Sequence, residues 1–236
     1  MAKQVLTLPN GETILYQLER RPRRTIGLKI TDDGLVVHAP KRIFEFELHR
    51  ILLEKAKWII DKLEARKNNY VPPIVWQNGE ELLLHGNLLE LSVVSHQRNK
   101  QPEHSNNVLT IATPEPNNHA AIGRKVMQWY KKQAMMDFAR RLEVFAAKLG
   151  VNTPPLMLSN AQSRWGSCSS RGDVRLNWRL LQAPPHIINY VICHELAHLK
   201  EMNHSARFWT IVGQLYPDYK RAEKELKQLS PQLHRL

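Results

Sequence analysis

The last third of the chain combines residue types that bind metals and move protons. His194 and His198 are four residues apart, and Glu195 directly follows the first of them. Four residues of an α-helix advance about 400°, so both imidazoles leave the same face one turn apart. A single metal ion can then take one nitrogen from each ring. Glu195 lies about 100° round the helix, where it is a poor ligand but a well-oriented general base for an attacking water.

A third histidine follows at a meaningful interval. His204 lies ten residues after His194, as in the metzincin pattern, in which a glycine inside the interval lets the chain turn. Glu201 stands at that glycine position here. Met202 and Asn203 are the alternative turn residues, because asparagine tolerates the left-handed conformation.

His204 is the predicted third ligand, and a downstream carboxylate, Glu223 or Glu225, is the alternative. Three neutral imidazoles leave the fourth coordination position open, which is typical of a catalytic zinc site and not of a structural one. The expected cofactor is therefore zinc, held by His194, His198 and His204.

An apolar run from Ile187 to Ile192 precedes the motif and predicts a helix over 187–200 that is buried in a core. Histidine and glutamate in such a helix need partners, and a metal ion supplies them.

Spacings of three and four between apolar residues predict the other helices. They are Phe44 to Lys67, Asn118 to Leu149, Ser205 to Leu215 and Asp218 to Leu229. Short β-branched or apolar runs predict strands, with hairpin turns at Asn10-Gly11, Asp32-Asp33-Gly34 and Gly86-Asn87. Residues 96–107 are predicted to form a loop, and 165–170 a turn before a strand over Val174 to Trp178.

The predicted fold class is α+β. A composition change at Pro114 to Asn118 divides the chain into a β-rich N-terminal module over 1–115, with one long helix over 44–67, and a mostly helical zincin-like catalytic domain with a small sheet over 116–236.

The net charge and the number of cysteines indicate which partners and which cellular compartment to expect. The formal net charge is +12, from 34 Lys and Arg against 22 Asp and Glu, which favours anionic partners such as nucleic acid or nucleotides. Cys168 and Cys193 are too few for a disulfide framework, and each is interpreted as a small buried hydrophobe. With a polar start and no membrane-length apolar run, we expect a cytoplasmic protein without membrane contact.

Three segments resemble one family. They are Ser163-Arg164-Trp165-Gly166-Ser167-Cys168, His194-Glu195-Leu196-Ala197-His198, and Asn203-His204-Ser205 with Phe208-Trp209. Together they resemble the YgjP-like metal-dependent hydrolases, which are grouped with zinc metallopeptidases and related to the SprT-like proteases. The resemblance extends over nearly the whole chain and implies a zincin-type domain. It leaves the substrate open, because SprT-like proteases act on DNA-bound proteins and some YgjP-like members are assigned nucleotide pyrophosphatase activity.

Four residues near the motif are candidates for substrate binding. Trp165 either faces substrate or fills a gap against the ligand helix. Arg164, Arg175 and Arg179 could form a basic rim, since a strand would put Arg175 and Arg179 on one face. Such a rim suits phosphate.

These residues suggest three functions. The first is a zinc peptidase with Glu195 as general base. The second is a metal-dependent pyrophosphatase acting on nucleotides such as UTP. The third is a nucleic-acid-binding module with structural zinc, against which the open position and Glu195 argue. The resemblance adds, as a further alternative, a DNA-associated protease of SprT type. The oligomeric state is not determined by the sequence.

Overall fold

The structure, a computed structural model, describes residues 3–8, 11–31, 33–68 and 71–236. Its internal contacts divide the chain into two units, Met1–Tyr70 and Val71–Leu236. The predicted boundary between residues 115 and 116 falls inside the second unit. The predicted turn residues Asn10 and Asp32 lie outside the described residues.

The first unit combines a four-stranded sheet with two helices. Its elements are β1 (Lys3–Thr7), β2 (Thr13–Arg21), β3 (Gly27–Thr31), β4 (Gly34–Pro40), α1 (Glu45–Glu54) and α2 (Ala56–Asn68). The strand order is β1-β2-β4-β3, with β2 and β4 parallel and the other pairs antiparallel. Tyr16 and Val37 of the sheet share a core with Leu48 and Ile59 of the helices.

The single long helix predicted over 44–67 is wrong, because Lys55 separates α1 from α2. Its backbone has φ −97° and ψ 4°. Buried apolar residues continue at helical spacing on both sides, with Leu52 before the break and Ile59 after it. The hydrophobic period therefore contains no sign of the interruption.

The second unit contains two small sheets and four helices. Its elements are β5 (Glu80–Leu84), β6 (Asn87–Ser95), β7 (Glu103–Ser105), β8 (Val108–Thr113), α3 (His119–Leu149), β9 (Leu156–Ser159), β10 (Gly166–Cys168), β11 (Val174–Asn177), a short 3-10 helix (Trp178–Gln182), α4 (Pro185–Ala197), α5 (Ala206–Leu215) and α6 (Tyr219–Leu233). The sheet orders are β5-β6-β8-β7 and β10-β11-β9. Strand β7 lies within the predicted loop over 96–107 and β10 within the predicted turn over 165–170, and the residues around both strands are irregular or in turns.

One core connects both sheets of this unit to its helices. Leu91 of β6, Ile111 of β8, Phe138 of α3 and Ile192 of α4 all belong to it. The composition change near residue 115 therefore marks the entry to α3 and no boundary between compact units. At that entry, Asn118 Oδ1 accepts a hydrogen bond from the Ala121 N–H at 3.0 Å, as an N-cap does.

The mixture of helices and small sheets confirms the predicted α+β class. Among the described residues, none of the helices combines the length and the apolar character that a membrane span requires.

Candidate metal centre

Helix α4 presents the first two histidines. Pro185 begins this helix, where its fixed φ suits the first turn and its missing N–H leaves no bond unmade. Ile188 and Ile192 are fully buried, so the helix is fixed in the core. His194 lies in the last turn and His198 caps it. The helix thus holds the two rings one turn apart, as predicted from their spacing.

A tight turn after α4 brings back the third histidine. The N–H groups of Lys200 and Glu201 both donate to the Ala197 carbonyl at 3.0 Å. Asn203 takes part through its side chain, because Oδ1 accepts a hydrogen bond from the Ser205 N–H at 2.9 Å. Its backbone is not left-handed: the non-glycine residues with positive φ in the described part of the chain are His85, Asn106 and Asn107.

The three histidines converge on one point. One nitrogen from each of His194, His198 and His204 lies within 4.8 Å of the other two. The Nε2 atoms of His194 and His204 are 3.1 Å apart. For metal–nitrogen bonds of about 2.1 Å, tetrahedral geometry separates ligand nitrogens by about 3.4 Å. This donor set therefore fits a small tetrahedral cation such as Zn²⁺.

A histidine must be neutral to bind a metal ion, and the surroundings of His194 and His198 favour the neutral form. Burial, together with the neighbouring His198 and His204, lowers the pKa of His194 to about 4. Burial also lowers the pKa of His198. The Nδ1–H of His198 donates to the Glu201 carbonyl at 3.2 Å, which leaves Nε2 with a free lone pair.

Aromatic side chains orient the rings, a role that the sequence analysis did not assign. Phe208 is fully buried, and its ring centroid lies 4.9 Å from that of His194, 4.6 Å from His198 and 4.7 Å from His204. Trp209 stacks on His204 at 5.8 Å. Tyr190, one turn before His194, meets that ring edge-on at 6.0 Å. The spacing of Tyr190 and His194 by four residues is a signal that could have suggested this contact.

Glu195 is buried at 5% exposure beside strand β10. A Cβ atom added at Gly166 would lie 2.6 Å from Glu195 Cδ and closer still to Oε1, so only glycine allows this approach. Burial raises the pKa of Glu195 to about 8, and the positive charge of Arg164 opposes the increase. The sequence analysis did not predict this contact between Gly166 and Glu195.

Of the three arginines of the predicted basic rim, Arg179 lies elsewhere and the other two are exposed. Arg164 is exposed and acts on Glu195 through its charge. Arg175 is exposed on β11, opposite Ser167 of β10. Arg179 is not on this strand, so the prediction that it shares a face with Arg175 is wrong.

Arg179 has a structural environment instead. It lies in the 3-10 helix at 7% exposure, and its guanidinium stacks over the Trp178 ring at 4.5 Å. It donates hydrogen bonds to Asn160 Oδ1 at 2.5 Å and to the Leu236 carbonyl. The Arg179 side chain is therefore held by contacts within the fold.

Trp165 also packs, but against α6 and its end. Its Nε1–H donates to Ser230 Oγ at 3.0 Å, and its ring stacks on His234 at 4.4 Å between centroids. This matches the packing alternative, with a different helix as the neighbour.

The alternative ligands have other contacts. Glu223 pairs with Lys227 and Glu225 with His186, both at 2.8 Å. Burial raises the pKa of Cys193 to about 12, consistent with the predicted small buried hydrophobe, and Cys168 is half-buried. The group of possible ligands found among the described residues contains the three histidines.

Comparison with known proteins gives matches in three forms. A UTP pyrophosphatase from Escherichia coli is 25% identical over 130 residues, which are 52% of this chain and 78% of that protein. The crystal structure of the metallopeptidase zymogen of Pyrococcus abyssi abylysin has 25% identity and a TM-score of 0.36, and covers 39% of this chain and 94% of that one. The zymogen of Methanocaldococcus jannaschii jannalysin has 19% identity and a TM-score of 0.35 over the same shares.

The third form is a family model. The YgjP-like metallopeptidase domain matches residues 24–229, which include the three histidines, Glu195 and most of the first unit. Because this match covers far more than half of the 236 residues, the chain belongs to the YgjP-like family.

Proposed function

We propose that this protein is a zinc-dependent hydrolase that cleaves peptide bonds. His194, His198 and His204 are the zinc ligands, and Glu195 is the general base. The observation that carries the proposal is the convergence of three imidazoles, with one nitrogen of each within 4.8 Å of the others, together with a buried carboxylate on helix α4. Membership of a family described by a metallopeptidase domain supports it.

The residues have distinct tasks. When bound, zinc supplies a Lewis acid that polarises the scissile carbonyl and acidifies water. Glu195 takes a proton from the attacking water and delivers it to the leaving amine. Its burial and its contact with Gly166 hold the carboxylate beside the first ligand, which keeps the proton transfer short.

Strand β10 supports a peptide as the substrate. It lies at an edge of the sheet order β10-β11-β9, and Gly166 on it touches Glu195. An edge strand offers backbone N–H and C=O groups that can pair with an extended peptide. A peptide paired with this edge would pass close to Glu195, the proposed general base.

A nucleotide pyrophosphatase is the second candidate. The similarity to the UTP pyrophosphatase of Escherichia coli favours it, as does the charge of Arg164 near Glu195. The arrangement of Arg179 argues against it, since that side chain is engaged with Asn160 and Trp178.

Metal analysis combined with substrate screens tests the proposal. We expect about one zinc per chain by elemental analysis, and its loss in His198→Ala. His186→Ala is the matched control, because His186 lies on α4 but pairs with Glu225. Purified protein without zinc would overturn the proposal.

A peptide library and a panel of nucleoside triphosphates then decide the substrate. Peptide cleavage that disappears in Glu195→Gln supports the proposal. Pyrophosphate release with the same dependence on Glu195, without peptide cleavage, replaces it with the second candidate.

A further inference from the structure

A groove follows helix α3 in the second unit, away from the histidine cluster. Two cavities, of about 380 and 400 Å³, share Trp129 and Gln133 in their walls. Their helical lining extends from Lys125 to Arg140, which spans about 22 Å at 1.5 Å per residue. We call this surface the α3 groove. None of the three histidines of the metal centre, nor Glu195, lines it.

Hydrogen bonds fix the first half of the groove. Asn99, in the segment after β6, accepts at Oδ1 from Lys125 Nζ and from Thr113 Oγ1, the latter at 3.1 Å. The Lys100 N–H donates to the Ala112 carbonyl at 3.2 Å. The wall opposite α3 is therefore attached both to the helix and to strand β8.

The second half is fixed in the same way. The His85 N–H donates to the Leu181 carbonyl at 2.9 Å, and the His85 ring lies beside Asp137, with Nε2 3.7 Å from Oδ1. Arg141 donates to Asp137 Oδ2 at 2.6 Å. The groove is thus a preformed feature of the unit.

The lining carries an excess of positive charge. Lys100, Lys125 and Lys132 line the first cavity, and Arg140 lines the second. Asp137 is the acidic residue among the described lining residues, and it pairs with Arg141 and Arg140. The first cavity can therefore accept several negative charges, and Arg140 continues the positive charge into the second.

We propose that the α3 groove binds single-stranded nucleic acid through its phosphates. The three lysines line one cavity and Arg140 lines the next, so the positive charge follows a surface of about 22 Å, which is longer than one nucleotide and matches a chain of phosphates. Between them, Gln101, Gln128 and Gln133 offer amide donors and acceptors for exposed base edges. Met136, 62% exposed, adds an apolar contact. Binding in this groove does not depend on the metal centre, none of whose histidines lines it.

Fluorescence anisotropy with a labelled oligonucleotide of about 15 nucleotides, as DNA and as RNA, tests the proposal on the full chain. Affinity should fall as salt rises from about 50 to about 200 mM. Lys100→Gln with Lys132→Gln should weaken binding about tenfold and reduce the salt slope by about 1.4, which is two contacts of about 0.7 each. This pair leaves the Lys125–Asn99 and Arg140–Asp137 contacts intact.

The control is Lys220→Gln with Lys224→Gln, which removes the same charge from exposed positions of α6. It should retain the affinity within about twofold, because distant charges are screened. Equal weakening by both pairs would overturn the proposal, as would equally effective displacement by polyglutamate. If zinc-free His198→Ala lost binding, the oligonucleotide would bind at the metal centre and the proposal would be wrong. Retained binding supports the α3 groove. The proposed hydrolase function is tested separately, by zinc content and substrate cleavage.

Discussion

Asp137 and Glu195 are both buried in the second unit, at 8% and 5% exposure, and their surroundings drive their pKa values in opposite directions. Burial alone would raise the pKa of Asp137, but the His85 imidazole and the Arg141 guanidinium more than offset it and hold that pKa well below its usual range. For Glu195 burial dominates, opposed by the charge of exposed Arg164, and the described residues form no ion pair with it.

The contrast separates two uses of a buried carboxylate. Asp137 holds Arg141 of the same helix, and Arg141 connects α3 to α4 because its Nη1–H donates to Asn189 Oδ1 at 2.7 Å. Such a network stabilises the fold that carries the motif. A buried carboxylate without a cation costs stability, and proteins retain such groups where chemistry requires them. We therefore expect Asp137 to affect folding and Glu195 to affect activity.

The largest expected effect is on turnover. Glu195→Gln should lower kcat about 10³-fold, since it removes the proton acceptor and keeps the side-chain shape. Zinc content should not change. Asp137→Asn should leave kcat per folded molecule within a few-fold. Both variants are assayed side by side, and the concentration of active sites is taken from the zinc content. Comparable losses of kcat in both would contradict the distinction between Asp137 and Glu195.

The next effect is on stability. Asp137→Asn should lower the free energy of unfolding by about 3 kcal/mol in urea titrations at neutral pH, because it leaves the charge of Arg141, 16% exposed, without its partner. Glu195→Gln in metal-free protein should not lower it. A loss below about 0.5 kcal/mol in Asp137→Asn would assign the network no structural role.

The same variant has a pH signature. A folded pKa below the unfolded value of about 3.9 means that Asp137 stabilises the protein fully above this pH. Its contribution declines as pH falls through that value towards the folded pKa. The stability difference between the natural protein and Asp137→Asn should therefore shrink below about pH 4.

The part of the site that lies close together in the sequence could be predicted from residue types and spacing. The spacing of His194, Glu195 and His198 fixes their relation on a helix, and the ten-residue interval identifies His204 as a candidate. The positions of His194 and His198 relative to each other follow from the regular geometry of a helix.

Contacts between distant segments could not be predicted in this way. Asp137 meets His85 and Asn189 meets Arg141 across 52 and 48 positions of the chain, as 137 − 85 and 189 − 141. Arg179 left the predicted strand face because β11 ends at Asn177 and a 3-10 helix follows. No periodicity encodes such encounters, which depend on how the elements pack.

Gly166 gives the smallest and most selective test of the comparison. Alanine there would place Cβ 2.6 Å from Glu195 Cδ, so the carboxylate must move. We expect kcat to fall about tenfold to a hundredfold, since displacement of a catalytic group by about 1 Å has effects of this order. Zinc content should remain unchanged, because the three imidazoles do not depend on this contact.

Gly123→Ala is the matched control for Gly166→Ala. Its Cβ would lie 2.7 Å from Trp76 Nε1, a similarly severe contact away from the metal centre, and neither glycine has a positive φ. Left-handed backbone strain is therefore absent in both, and the two variants share a severe contact with the neighbouring side chain. Gly123→Ala should lower the unfolding temperature and retain kcat per folded molecule. If Gly166→Ala lowered the unfolding temperature but not kcat, displacement of Glu195 would not affect turnover. The burial of Glu195 would then serve the stability of the fold, as that of Asp137 does.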